Sequence, residues 1–67
     1  MNTTATKDLK VGDRYLSQDC IWEILEAEKL NTGNFRILAV VIEGDRLAVG
    51  NTWNWYGTPD HTVQIAE

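Results

Sequence analysis

Apolar and polar positions divide this chain into short segments, most with a period of two. The densest apolar stretch runs from Phe35 to Tyr56, FRILAVVIEGDRLAVGNTWNWY. β-Branched and aromatic residues dominate it, and Gly44-Asp45 punctuates it as a turn signal. The spacing predicts a long hairpin closed by a two-residue type II′ turn at Gly44-Asp45, with Gly taking the positive φ of the first turn position. That register sets Glu43 opposite Arg46, Ile42 opposite Leu47, Val40 opposite Val49, Leu38 opposite Asn51 and Arg36 opposite Trp53. Leu38, Val40, Ile42, Leu47 and Val49 would then form the core face. Phe35, Ile37, Ala39, Val41 and Ala48 would form a second apolar face in need of a cover. Gly50-Asn51 predicts a bulge or bend. Trp53 and Trp55 share a face, inward without an inserted residue and outward with one.

The flanking segments are less regular. Residues 1–8, polar and Thr-rich, read as a flexible N-terminal tail, and residues 9–67 as a single β domain. Leu9 to Val11 alternates, Gly12-Asp13 marks a turn, and Arg14-Tyr15-Leu16 fits a short strand. Cys20 to Lys29, CIWEILEAEK, has no clean period. As a strand it puts Cys20, Trp22 and Ile24 on one face; a helix over 20–30 is the alternative, with a cap at Ser17 or Asp19 and a stop at Gly33. The hairpin-loop chemistry of Leu30 to Asn34 favours the strand. His61 to Ala66 alternates with Val63 and Ile65 inward and closes the sheet. The expected fold is all-β: a small antiparallel five-stranded barrel or a strongly bent sheet.

The run Val11-Gly12-Asp13-Arg14-Tyr15, then Ile21-Trp22-Glu23-Ile24 and a meander, resembles the small Src-homology-3-type barrels of bacteriophage and bacterial proteins. The resemblance is one of strands and turns over residues 9–66. It implies a fold and, because such barrels serve as adaptors, inhibitors and nucleic-acid binders, no single function.

Composition narrows the picture. Sixty-seven residues sit near the lower limit for a domain that folds alone, where only about 60% of the unfolded surface is buried. A single Cys precludes an internal disulfide, so a dense aromatic core, self-association, or both must supply stability. Six basic against ten acidic residues, a net charge of −4, disfavour passive attraction to nucleic acid or to an anionic membrane. The N-terminus lacks the apolar core of a signal peptide, and no apolar run is long enough to span a bilayer, which points to the cytoplasm, of a host cell if the chain is phage-encoded.

Candidate chemistry is sparse. His61 reads as a solvated residue at a strand start, and Cys20, beside Asp19 and Glu23, as a buried thiol. No catalytic set, cofactor motif or metal cluster is expected. The one distinctive group is Trp53-Asn54-Trp55-Tyr56. Trp22 and at least one of Trp53 and Trp55 are expected in the core, and an exposed member would anchor a partner. The expected function is a non-enzymatic protein-interaction module, an inhibitor or adaptor for a larger protein or a self-associating chain. Its partner-binding residues would be Trp53, Trp55, Tyr56 and Arg36, or the Ile37 and Val41 face. The alternative is a nucleic-acid-binding barrel that stacks bases on the aromatic patch near Lys10, Arg14, Arg36 and Arg46. An acidic decoy of nucleic acid is a third and weaker reading.

Overall fold

The computed structural model describes residues 2–66. The strands, in chain order, are β1 (Thr3–Ala5), β2 (Arg14–Ser17), β3 (Cys20–Lys29), β4 (Phe35–Gly44), β5 (Thr52–Gly57) and β6 (Thr62–Ile65), with one 3₁₀ turn at Thr6–Asp8. They form one six-stranded sheet in the order β1-β6-β2-β3-β4-β5. Every pairing is antiparallel. The architecture is all-β, as the alternation predicts, but the sheet is bent and does not close into a five-stranded barrel. Among the described residues no helix is long and apolar enough to cross a membrane.

The segment read as a tail is part of the sheet. Thr3, Thr4 and Ala5 pair with Gln64, Val63 and Thr62. Thr6 is fully buried, and both its N–H and its hydroxyl donate to the His61 carbonyl, at 2.7 and 3.0 Å. Thr-rich sequence is polar, but its β-branched side chains suit an edge strand. Met1 lies outside the described residues.

Residues 20–29 form a strand and not a helix. The missing period has a local cause. Register shifts fall between Ile24 and Glu26 and between Ile21 and Trp22, leaving Leu25 and Ile42 as inserted residues of two bulges. Cys20, Trp22 and Ile24 point inward; past the bulge the parity flips, and Ala27 packs against the core opposite Ile37. The same flip leaves Glu26 and Glu28 on the outer face, where both pair with Arg36 at 3.2 and 3.1 Å.

The central hairpin differs most from expectation. Phe35 pairs with Gly57, Ile37 with Trp55, Ala39 with Trp53 and Val40 with Thr52. This register is offset by three residues from the one that a Gly44-Asp45 turn imposes, and an odd offset exchanges the two faces. Ile37, Ala39 and Val41 are therefore the core, each 0% exposed. Leu38, Val40 and Ile42 are half-buried on the outer face, Leu47 packs at the core's margin, and Val49 is exposed. Gly44 does not turn the chain. It stays in β4 opposite Cys20, where a Cβ would stand 2.9 Å from the Cys20 Cα. Glycine is needed there for close approach, and the chain reverses later.

That reversal is built from a device used twice. In Ala48-Val49-Gly50-Asn51 the Asn51 N–H donates to the Ala48 carbonyl at 3.1 Å, and Gly50 has φ +98°. Gly50 N–H then donates to the Val41 carbonyl while Val41 N–H donates to the Asn51 carbonyl, both at 2.9 Å. Two residues oppose one, as in a bulge with glycine first. Lys10-Val11-Gly12-Asp13 repeats the arrangement against Ile24: Asp13 N–H to Lys10 carbonyl at 3.0 Å, Gly12 N–H to Ile24 carbonyl and Ile24 N–H to Asp13 carbonyl at 2.9 Å, with Gly12 at φ +94°. Both Val11 and Val49 are exposed at the turn tips. Val-Gly-Asp and Val-Gly-Asn thus launch β2 and β5 in the same way.

The β2–β3 turn is tighter. Ser17 pairs with Cys20 around Gln18 and Asp19, at φ 53° and 61°, as a type I′ hairpin requires. Leu9, Tyr15, Cys20, Trp22 and Ile24 complete the core with the β4 residues.

Gly44→Ala should lower unfolding free energy by about 1–3 kcal/mol, because the methyl meets the Cys20 Cα and Cβ as well as its Sγ, and turning the thiol away relieves only the last of these. Urea denaturation of the variant beside the parent chain measures it; an unchanged midpoint would contradict the close contact with Cys20.

Candidate aromatic cleft

The bend brings opposite ends of the sheet together over the concave face. β5 supplies Trp53 and Trp55, β2 supplies Tyr15 and Ser17, β6 supplies Val63, and the turn before β6 supplies His61. These six side chains line an open cleft of about 250 Å³. Its floor is continuous with the core. Trp22 and Tyr15 stack, with ring centres 6.4 Å apart and planes 9° from parallel. Trp53 tilts onto Trp22 at 5.8 Å, Trp55 meets Tyr15 edge-on at 6.2 Å, and His61 meets Trp55 edge-on at 6.0 Å. Trp53–Trp22–Tyr15–Trp55–His61 is one unbroken chain of ring contacts, in the offset and edge geometries that aromatic quadrupoles favour.

Hydrogen bonds fix these rings in place. Trp22 Nε1 donates to the Ser17 carbonyl at 3.1 Å, and Trp55 Nε1 donates to the Tyr15 hydroxyl at 3.0 Å. Gly57 clears space for Trp55, since a Cβ there would come within 2.7 Å of the Trp55 ring. Burial pushes the Tyr15 phenol above its ordinary pKa, and the hydrogen bond from Trp55 opposes that rise in part. The walls are therefore held in place by the protein's own contacts. What they offer is apolar ring surface with a few polar edges.

The expected partner residues separate in space. Trp53, 44% exposed, and the half-buried Trp55 both line the cleft. They face inward even though Gly50-Asn51 does carry a bulge, because the hairpin register differs from the expected one. Tyr56 is exposed on the opposite, outer face, paired in register with Arg36. Arg36 is thus not beside Trp53; it is engaged by Glu28 and Glu26. Ile37 and Val41 are fully buried and offer no partner surface. Tyr15, Ser17 and His61 join the site without a local sequence signal, since the bend that unites them is a long-range property. His61 is exposed, as its place at the strand start implies, yet its ring packs on Trp55.

No protein-family model matches the chain, no curated protein matches its sequence, and no solved structure matches its fold.

The Tyr15 shift makes a prediction with a definite sign. The folded phenol ionises above the unfolded value of 10.0. Its contribution to stability is fully present below that pH and is lost as pH rises through the higher folded value. Melting temperature should therefore fall more steeply at alkaline pH in the parent chain than in Tyr15→Phe. Parallel slopes for the two proteins would show that Tyr15 does not titrate as a buried group.

Proposed function

We propose that this chain is a small protein-interaction module, of inhibitor or adaptor type, that acts by binding and docks a partner protein in the aromatic cleft. The observation that carries this reading is the cleft itself: solvent-open, walled by Trp53, Trp55, Tyr15 and His61, and fixed from beneath by buried Trp22. Tryptophan and tyrosine dominate binding hot spots because they offer large, stiff contact area at small entropic cost. A cleft of about 250 Å³ falls below the roughly 300–1,000 Å³ of sites for drug-sized ligands. It fits an apolar or aromatic side chain presented by a larger partner better than a free cofactor.

Charge separates this reading from the nucleic-acid one. Exposed Trp53 could stack a base, but a net charge of −4 opposes the phosphate attraction that supplies most non-specific affinity. Arg36, the cation nearest the aromatic strand in register, lies on the outer face and is paired with two carboxylates. A bacteriophage setting and a cytoplasmic target fit such a module, on the pattern of strands and turns alone.

Selection from a displayed random-peptide library on the immobilised chain tests the proposal. Peptides rich in an aromatic or branched apolar anchor should emerge. Trp53→Ala should weaken them at least about tenfold, as for a hot-spot residue, while leaving the fold intact. Binding that ignores Trp53→Ala would remove the cleft as the docking site. Tight, salt-sensitive binding of a labelled oligonucleotide would replace the proposal with the nucleic-acid reading.

A further inference from the structure

The open seam of the bent sheet leaves β5 as an edge strand, paired with β4 and with no other described strand. The Val41 N–H to Asn51 carbonyl bond fixes the phase of the β4–β5 ladder. In an antiparallel ladder hydrogen-bonded pairs alternate, so Trp53, Trp55 and Gly57 direct their backbone groups to β4. Thr52, Asn54 and Tyr56 direct theirs to the free edge. All three of these residues are exposed.

Natural edge strands are blunted by charge, proline, brevity or a bulge that twists the edge away. The opposite edge, β1, has only three residues. β5 has six, Thr-Trp-Asn-Trp-Tyr-Gly, with no charge and no proline, and its one bulge precedes it. An edge of this length and composition is a template for another strand.

We infer that the β5 edge pairs with β5 of a second copy of this chain, antiparallel, about a twofold axis through Asn54. The edge is self-complementary in phase. With Asn54 opposite its symmetry mate, Thr52 falls opposite the mate's Tyr56, and each such pair exchanges two backbone hydrogen bonds. Each pairing joins residues whose backbone groups point outward in both copies, so no donor meets a donor. The faces also agree. Trp53 lands opposite the mate's Trp55, at the closer, non-hydrogen-bonded spacing where aromatic pairs contribute most. Both belong to the concave face, so the mate adds an indole beside the cleft. A twofold contact is reciprocal, so the Thr52–Tyr56 and Trp53–Trp55 pairings each occur twice about the axis. In a chain of net charge −4 a neutral strand is where two copies meet with least repulsion. The inference rests on the edge and not on the docking role of the cleft, and either can fail alone.

Sedimentation equilibrium on the full chain tests it. The parent chain should dimerise reversibly. Asn54→Pro removes the N–H at the axis, at an edge position where proline is compatible with a strand. It should give a folded monomer, with circular dichroism as the check on folding. Asn54→Lys and Asn54→Asp each place like charges across the axis and should weaken self-association at least about tenfold. Mixed one to one, they should recover a heterodimer. A parent chain that stays monomeric at millimolar concentration would overturn the inference. So would a dimer indifferent to Asn54→Pro, or charge variants that remain apart when mixed.

Discussion

Everything in this molecule leans on the stacked pair Trp22 and Tyr15. They are 1% and 3% exposed, and they sit side by side on β3 and β2 in direct register. With no disulfide and few residues, the chain depends on a few large side chains for its buried area. Truncating a fully buried indole typically costs about 3–5 kcal/mol, against a whole-domain stability of about 5–15 kcal/mol. The other strands are arranged to cover this pair. Val41 lies beside Trp22 in register from β4, with Ala39 next along the same face, Trp53 and Trp55 close over from β5, and Leu9 joins the same core cluster. Each of the two inner indoles has its N–H satisfied, Trp22 by a backbone carbonyl and Trp55 by the Tyr15 hydroxyl. Without those partners, burial of the rings would carry a desolvation penalty of about 1–3 kcal/mol each.

Bulges convert this crowded centre into a bent sheet. Where a strand must carry both apolar and charged residues, an inserted residue lets the parity change midway. Leu25 does so in β3 and Ile42 in β4. Gly12 and Gly50 do so at the starts of β2 and β5. Each bulge adds local twist, and the sheet bends enough for β5 and β6 to face each other across the cleft. It stops short of closure. The result is a concave wall of rings and an unpaired edge on the same strand.

These bulges also explain what the sequence did and did not disclose. The β-branched runs and hairpin-loop chemistry correctly indicated strands, including the aperiodic Cys20 to Lys29. Trp22 as core and Val63 and Ile65 as inward-facing followed from size and alternation. Register was another matter. Gly44-Asp45 has the chemistry of a two-residue turn, but Gly44 is glycine because Cys20 crowds it, a contact with another strand that no local window contains. The true reversal used Val49-Gly50-Asn51, whose twin, Val11-Gly12-Asp13, stands earlier in the chain. The likeness of those two tripeptides is the local sign of the true register. A turn at Gly44-Asp45 would differ from the true pairing by an odd number of residues, which exchanges the faces of β4 and makes the core residues Ile37 and Val41 read as partner contacts. The Thr-rich start hides its strand for a related reason: that strand is stabilised by a mate some sixty positions away, Thr3 opposite Gln64.

The ring chain has one further consequence for how this protein can change. Tyr15 and Trp55 line the cleft and, with buried Trp22, also form the scaffold, so a substitution at any of the three alters the fold. Trp53 and His61, at the two ends of the chain of contacts, are more exposed and each touches a single ring within it. They are the positions where the side chain can change at small cost in stability. A domain this small has little stability to trade. Substitution should therefore be tolerated best at the ends of the ring chain, on the cleft rim, while its centre stays fixed by packing.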